Sequence, residues 1–295
     1  SGYARTLRLW RRGTALENAE QIIEVGVEDM SVGTFTVMGE DSDFSFIVRR
    51  PDFFTEETWL MTEQGIIAKL PLQIDANFQG VLGQRVLVLL RSDWTLDDGE
   101  TYAAGSLVSL DLARSITAQA PVGISTVLNP RTDDQLDAIS GVGITGGSVY
   151  ITALKDVAGM LLRVRPDADG WEVTRIELPE NGDIRIISTD DYTDTLLVNF
   201  ESFLIPDTLY LIEGEAAPEP IKALQPHFDI SNYVTEQHFA TSIDGTRIPY
   251  FVVRPIDVVM DGTIPTEMTA YGGFEISRTP AYMGALDQAW LERGG

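Results

Sequence analysis

The chain predicts a mainly β protein: a partial β-propeller of four-stranded antiparallel blades, followed by the first strands and helix of an α/β sheet. Three observations carry this. Short β-branched and aromatic runs recur between turn residues, as half-buried strands require. They group in sets of four at about 45–55 residues, the period and strand count of propeller blades. Helical periodicity is almost absent until about residue 230, where the texture of the sequence changes.

The elements run as follows. Residues 1–29 hold one strand candidate, Arg5–Arg11, and one helical turn near Thr14–Glu20, about half a blade. A first set, Met30 to Ile74, contains Gly33–Met38, Phe44–Arg49, Thr58–Thr62 and Ile66–Leu70. A second, Asp75 to about Pro130, contains Val86–Arg91 and Leu107–Leu112. The third, Asp134 to Pro179, contains Ser148–Leu154, Leu161–Arg165 and Glu172–Glu177, with Asp167-Ala168-Asp169-Gly170 as a hairpin turn between the last two. The fourth, Glu180 to Pro226, contains Asp183–Ser188, Thr195–Phe200 and Thr208–Ile212. Identity between the sets is weak, so the repeat rests on pattern, and a pair of packed β-sheets is the structural rival. An incomplete ring leaves blade edges open, and the blades are expected not to close. A second region begins at a boundary of 231/232. Its elements are strands Asn232–Thr241, Arg247–Arg254 and Ile264–Tyr271, a turn at Asp244-Gly245, and an amphipathic helix Ala281–Arg293.

Bulk properties narrow the partners. Hydrophobic residues make up 44% of 295, enough for a substantial core. No apolar run approaches the ~20 residues of a membrane helix. The net charge of −24, from 45 acidic and 21 basic residues, argues against nucleic acid and anionic membranes as partners, since both are polyanions. Cysteine is absent, which excludes disulfides and thiolate chemistry and leaves the compartment, cytoplasm or periplasm with the former preferred, undetermined. The start, Ser1-Gly2-Tyr3-Ala4-Arg5, carries neither an apolar signal core nor a Met and is not expected to be the native one.

Most chemical motifs have an ordinary explanation. Only His227 and His238 could serve as imidazole bases, and neither stands near a nucleophile signature; G-x-S-x-G occurs nowhere in the chain. Both are expected to be packing or polar residues. No metal and no cofactor is expected. The acidic clusters Asp41/Asp43, Asp97/Asp98/Glu100 and Asp190/Asp191/Asp194 lack calcium-loop spacing and read as turn acids. Gly141-Val142-Gly143-Ile144-Thr145-Gly146 matches G-x-G-x-x-G, yet a strand rather than a helix follows, so it reads as an inter-strand loop. The segment Thr269-Ala270-Tyr271-Gly272-Gly273-Phe274-Glu275-Ile276-Ser277 is different. Two glycines behind an aromatic let the backbone turn sharply at a strand end. A tyrosine hydroxyl in such a place can be a packed side chain or a donor to a developing oxyanion.

Ser242-Ile243-Asp244-Gly245-Thr246-Arg247-Ile248-Pro249, Tyr271-Gly272-Gly273-Phe274 and Trp290-Leu291-Glu292-Arg293-Gly294-Gly295 together resemble the opening of the peptidase domain of the prolyl oligopeptidase family. Tyr3-Ala4-Arg5-Thr6, Arg91-Ser92-Asp93-Trp94 and Tyr102-Ala103-Ala104-Gly105-Ser106-Leu107 resemble its bacterial propeller. The resemblance covers most of the chain and implies residues 1–231 as part of a seven-bladed propeller, about four and a half blades, and 232–295 as the start of an α/β-hydrolase domain. It implies a serine peptidase that cleaves short peptides on the C-terminal side of proline, with the propeller as a lid and the parent protein a monomer. Tyr271 would donate to the oxyanion, Phe274 would line the proline pocket, and Gly272 and Gly273 would shape the turn. The oligopeptidase B type differs after its tyrosine, so Tyr-Gly-Gly-Phe favours the prolyl type. Met268 and Thr269 depart from the Leu-Tyr-Gly that often precedes the motif. The family's nucleophile, acid and histidine are expected beyond Gly295, and the chain alone is expected to be inactive. A non-enzymatic propeller module is the rival function.

Overall fold

The computed structural model describes residues 2–38, 43–61, 67–133, 136–168, 170–273 and 276–295. A two-stranded ladder, β1 (Thr6–Leu9) and β2 (Glu20–Glu24), opens the chain, with one 3-10 turn at Leu16–Asn18 between them. Four antiparallel four-stranded blades follow. The first is β3 (Ser31–Val37), β4 (Phe44–Arg50), β5 (Glu57–Met61) and β6 (Ile67–Lys69). The second is β7 (Asn77–Leu82), β8 (Arg85–Leu89), β11 (Leu107–Asp111) and β12 (Ser125–Leu128), with a small hairpin of β9 (Trp94–Thr95) and β10 (Thr101–Tyr102) before β11 and helix α1 (Leu112–Ala118) after it. The third is β13 (Ala138–Ile144), β14 (Val149–Lys155), β15 (Ala158–Asp167) and β16 (Gly170–Ile176). The fourth is β17 (Gly182–Thr189), β18 (Thr195–Ser202), β19 (Thr208–Glu213) and β20 (Glu219–Ala223). The chain then forms the long hairpin β21 (Tyr233–Thr241) and β22 (Arg247–Pro255) and ends in α2 (Ala285–Leu291).

The four expected sets each contain one four-stranded sheet, so the architecture is the partial propeller that the strand grouping predicts. No ladder joins the first blade to the fourth among the described residues. Two expectations for the C-terminal region fail. Ile264–Tyr271 is not a strand: no described segment pairs with it, and Met268 and Tyr271 lie exposed rather than buried between neighbours. The terminal helix is shorter than the span 281–293, starting at Ala285 after an Asp287 carboxylate caps the Gly284 N–H at 2.9 Å.

The blades are held by what lies between them. Side chains alternate across a strand, and the central strands of the first three blades each feed two different cores. In β8, Val86 and Val88 face the core shared with the first blade, while Leu87 faces the third. In β14, Val149, Ile151 and Ala153 face the second blade, while Tyr150 faces the fourth. All of these are fully buried, which is why the central strands read as unbroken apolar runs.

The inter-blade space explains the glycine motif. Gly141 and Gly143 lie within β13, not in a loop. A Cβ on Gly143 would come within 2.8 Å of Thr189 Cγ2, and one on Gly146 within 2.8 Å of the Tyr192 carbonyl carbon, both in the fourth blade. The glycines let two blades touch; they cradle no phosphate.

Across the same seam, Asp194 joins the fourth blade to the third. Its carboxylate accepts hydrogen bonds from Thr145 Oγ1 at 2.7 Å, Ser148 Oγ at 2.9 Å and Tyr150 Oη at 3.1 Å. Arg165 Nη2 lies 2.5 Å away. Burial pushes this carboxyl up, but those donors outweigh it and hold it below its ordinary 3.8. The Tyr150 hydroxyl is pushed up to about 12 by burial and by the Asp194 charge. At pH 7, Asp194→Asn is expected to lower stability by about 1–3 kcal/mol, since buried donors lose a charged acceptor. The wild-type contribution is complete above pH 3.8 and is lost as pH falls through the lower folded-state pKa. Denaturant melts of both proteins from pH 7 to pH 3 should therefore show the gap narrowing at the acid end; a constant gap contradicts the assignment.

Candidate functional site

In every blade, antiparallel order returns the second-to-third connection to the end where the first strand begins. The connections 51–56, 90–106, 156–157 and 203–207 therefore share one face of the propeller. The C-terminal segment lies on the part of that face made by the third and fourth blades.

Several contacts fix it there. Gln237 Nε2 of β21 donates to the Asp156 carbonyl at 2.5 Å. The Tyr282 N–H donates to Glu201 Oε2 at 2.9 Å, and the Met283 N–H to the Phe203 carbonyl at 3.1 Å. Phe203 and Phe251 stack with ring centroids 5.4 Å apart. Leu204, Phe228 and Leu291 are buried together, with Tyr233, Val253 and Tyr282 packed around them. The receiving turn is strained: Asp156 and Val157 have φ of +50° and +69°. A β-branched residue in that region is unusual, and the two-residue hairpin imposes it.

Tyr271 sits between β22 and α2, in a stretch without regular secondary structure. It is 49% exposed, so the residue is not packed into a core. The Ile276 N–H donates to the Gly273 carbonyl at 3.2 Å, closing the turn. A Cβ on Gly273 would stand 3.1 Å from Tyr271 Oη, so a side chain there presses on the hydroxyl itself. Gly272 has open space where a Cβ would be. Phe274 lies outside the described residues. The tyrosine and its glycines are thus adjacent, with no general base hydrogen-bonded to them among the described residues.

The histidines are engaged elsewhere. The His227 backbone N–H donates to Tyr282 Oη at 2.9 Å, and its ring packs on Tyr282. His238 Nε2 lies 3.4 Å from Glu236 Oε2, but Glu236 is already bound by Arg254 through Nε at 3.0 Å and Nη2 at 2.7 Å. That guanidinium holds the Glu236 carboxyl below its usual range. No serine hydroxyl meets either imidazole among the described residues. Asp98 and Asp190 accept backbone N–H groups within their own turns. Asp41 lies outside the described residues, and no group of three metal-ligating side chains occurs among the described ones. Asp194 is the acid that sequence reasoning misjudged, because its partners Thr145 and Ser148 are 49 and 46 residues away. No helix among the described residues is long and apolar enough to cross a membrane.

Comparison with known proteins agrees with the architecture. The family model described as "Prolyl oligopeptidase, N-terminal beta-propeller domain" matches residues 1–221. An uncharacterized peptidase of Sinorhizobium fredii is 32% identical over 303 residues, covering 100% of this chain and 41% of that protein. A prolyl endopeptidase of Elizabethkingia miricola is 29% identical over 178 residues, 58% of this chain and 25% of that protein. The solved structure of a post-proline cleaving enzyme from Rickettsia typhi superposes with a TM-score of 0.81 at 26% identity, over 99% of this chain and 42% of that one. The chain thus spans about two fifths of the length of relatives that it matches end to end.

The docking cluster yields a test that needs no substrate. Leu291→Ala removes a buried anchor from the Leu204–Phe228 cluster, a change that typically costs about 2–5 kcal/mol. Hydrogen exchange in 256–295 is expected to quicken while β14 and β18 stay protected. Equal loss of protection across all blades would show that the segment is not docked separately.

Proposed function

Because this chain belongs to the prolyl oligopeptidase family, we propose that it is the propeller-bearing part of a serine peptidase that hydrolyses short peptides after proline through an acyl-enzyme. The observation that carries this is Tyr271-Gly272-Gly273-Phe274, with the tyrosine half-exposed, on a segment docked to one face of the family's propeller. Residues 1–231 are the propeller domain and 232–295 the start of the hydrolase domain. The nucleophilic serine, its histidine and the acid lie outside residues 1–295. The protein acts as a monomer in the cytoplasm or periplasm, without a cofactor, and its partners are proline-containing peptides rather than nucleic acid or membranes.

Within this reading Tyr271 has an electrostatic task. Attack on the scissile carbonyl puts negative charge on its oxygen, and a phenol fixed nearby stabilises that charge more than it stabilises the ground state. Phe274 offers an apolar wall to the proline ring. Gly273 leaves room for the hydroxyl, and Gly272 keeps the turn open. The propeller covers the site and admits only small peptides, excluding bulk water during the reaction.

Two measurements test this. Purified residues 1–295 are expected to show no turnover of a proline-containing fluorogenic peptide; turnover abolished by a serine-reactive phosphonate would overturn the assignment of the triad. In the full-length enzyme, Tyr271→Phe is expected to lower kcat by about 10²–10³ with little change in KM or melting temperature, the usual cost of losing one oxyanion donor. A lowered melting temperature with near-normal kcat would make Tyr271 a structural residue.

A further inference from the structure

We infer that the groove between the first and second blades is a subsite for an acidic side chain of the bound peptide, an inference that rests on the peptidase reading above. The groove encloses about 310 Å³ and is walled by Phe53 and Phe54 of the connection 51–56 and by Asn77, with Arg50 and Arg91 at its edges. It lies on the same propeller face as the docked C-terminal segment, because the connection 51–56 and the start of β7 both belong to that face.

Three features set it apart from the surrounding surface. Phe53 and Phe54 are 75% and 70% exposed, yet they are not on a loose loop. Asp52 Oδ1 accepts the Phe54 and Thr55 N–H groups at 2.7 and 2.9 Å, and those bonds hold its carboxyl below the usual range. Two large rings are thus held out toward solvent, beside cations, on a chain that carries 45 acids and 21 bases.

The second feature is that these cations are not used up. Arg49, one residue earlier, is consumed by Asp29 at 2.7 Å and Glu57 at 2.8 Å. Arg50 has only a 3.4 Å contact with Glu56, and Glu56 also accepts the Phe78 N–H at 2.9 Å. Arg91 gives its Nε–H to Asn77 Oδ1 at 3.3 Å, and no carboxylate pairs with it among the described residues. Third, the balance of charge is positive, with two guanidinium groups against the single carboxylate of Glu56. Planar guanidinium forks bind carboxylates in a bidentate way, and the two exposed rings beside them offer an apolar surface to the methylene groups of a long side chain. A peptide side chain ending in a carboxylate, with methylene groups to lie against the two rings, satisfies both.

The test uses the full-length enzyme and internally quenched peptides that differ at one residue, Glu, Gln or Lys, scanned along the positions preceding the proline. At one position kcat/KM is expected to be about tenfold higher for Glu than for Gln, with Lys below both, as one charge-assisted contact would give. Raising the salt concentration should shrink the ratio. In the double variant Arg50→Gln, Arg91→Gln the Glu-to-Gln ratio should fall to about one. Equal rates for Glu and Gln at every position, or a ratio that survives the double variant, would overturn the subsite while leaving proline-specific cleavage intact. A preference set only by a free rather than amidated peptide C-terminus would also overturn it. Failure to cleave any of the peptides after proline would remove the peptidase reading and the subsite together.

Discussion

Everything here depends on one constraint: a four-stranded blade with two apolar faces can bury both only between neighbours on either side. The cores therefore belong to seams, not to sheets. Phe46, Val86, Val88, Val108 and Leu110 form one seam, Leu87, Leu107, Val149, Ile151 and Leu162 the next, and Tyr150, Leu161, Leu196, Val198 and Phe200 the third. The outer face of the first blade is covered by β1 and β2, where Leu7, Ile22 and Ile23 pack on Val32 and Ile47. Stability then sums over neighbouring interfaces, as in other repeat architectures. Polar ties are placed on the same seams: Asp194 with Arg165 between the third and fourth blades, and Trp171 Nε1 donating to Ser125 Oγ at 3.1 Å between the second and third.

Stacking also fixes where function can reside. Blades that share one orientation place equivalent connections on one face, so four loops of unrelated sequence become a single working surface. Two of them, 156–157 and 203–207, hold the C-terminal segment to which Tyr271 belongs. The other two frame the groove of Phe53, Phe54, Arg50 and Arg91. Rigid seams carry variable loops, which lets one scaffold present both a docking site and a recognition site.

The sequence made the blades legible because Val86–Leu90 or Val149–Ala153 could satisfy neither a helical stripe nor a one-sided sheet. Edge and glycine-bearing strands were less visible. β7 contains Gly80 and β13 contains Gly141 and Gly143, which mimic turns, while β20 holds Pro220 and is exposed throughout. Helix α1 escaped notice because its seven residues are too few to show a period, although Asp111 caps it by accepting the Arg114 N–H. The Tyr271 motif could be read from sequence, whereas its half-exposed setting and the Gly273 contact could not. The groove was invisible for a simpler reason: Arg50 and Arg91 lie 41 positions apart and meet only because two blades stack.

The central claim is that this propeller serves a peptidase whose nucleophile is carried elsewhere in the same protein. Labelling the full-length protein with a phosphonate that bears a proline, followed by peptide mapping in a mass spectrometer, tests it most directly. The account predicts one modified serine, outside residues 1–295, in competition with proline-containing peptides. A label on any serine within residues 1–295, or no label on a folded full-length protein, would contradict it.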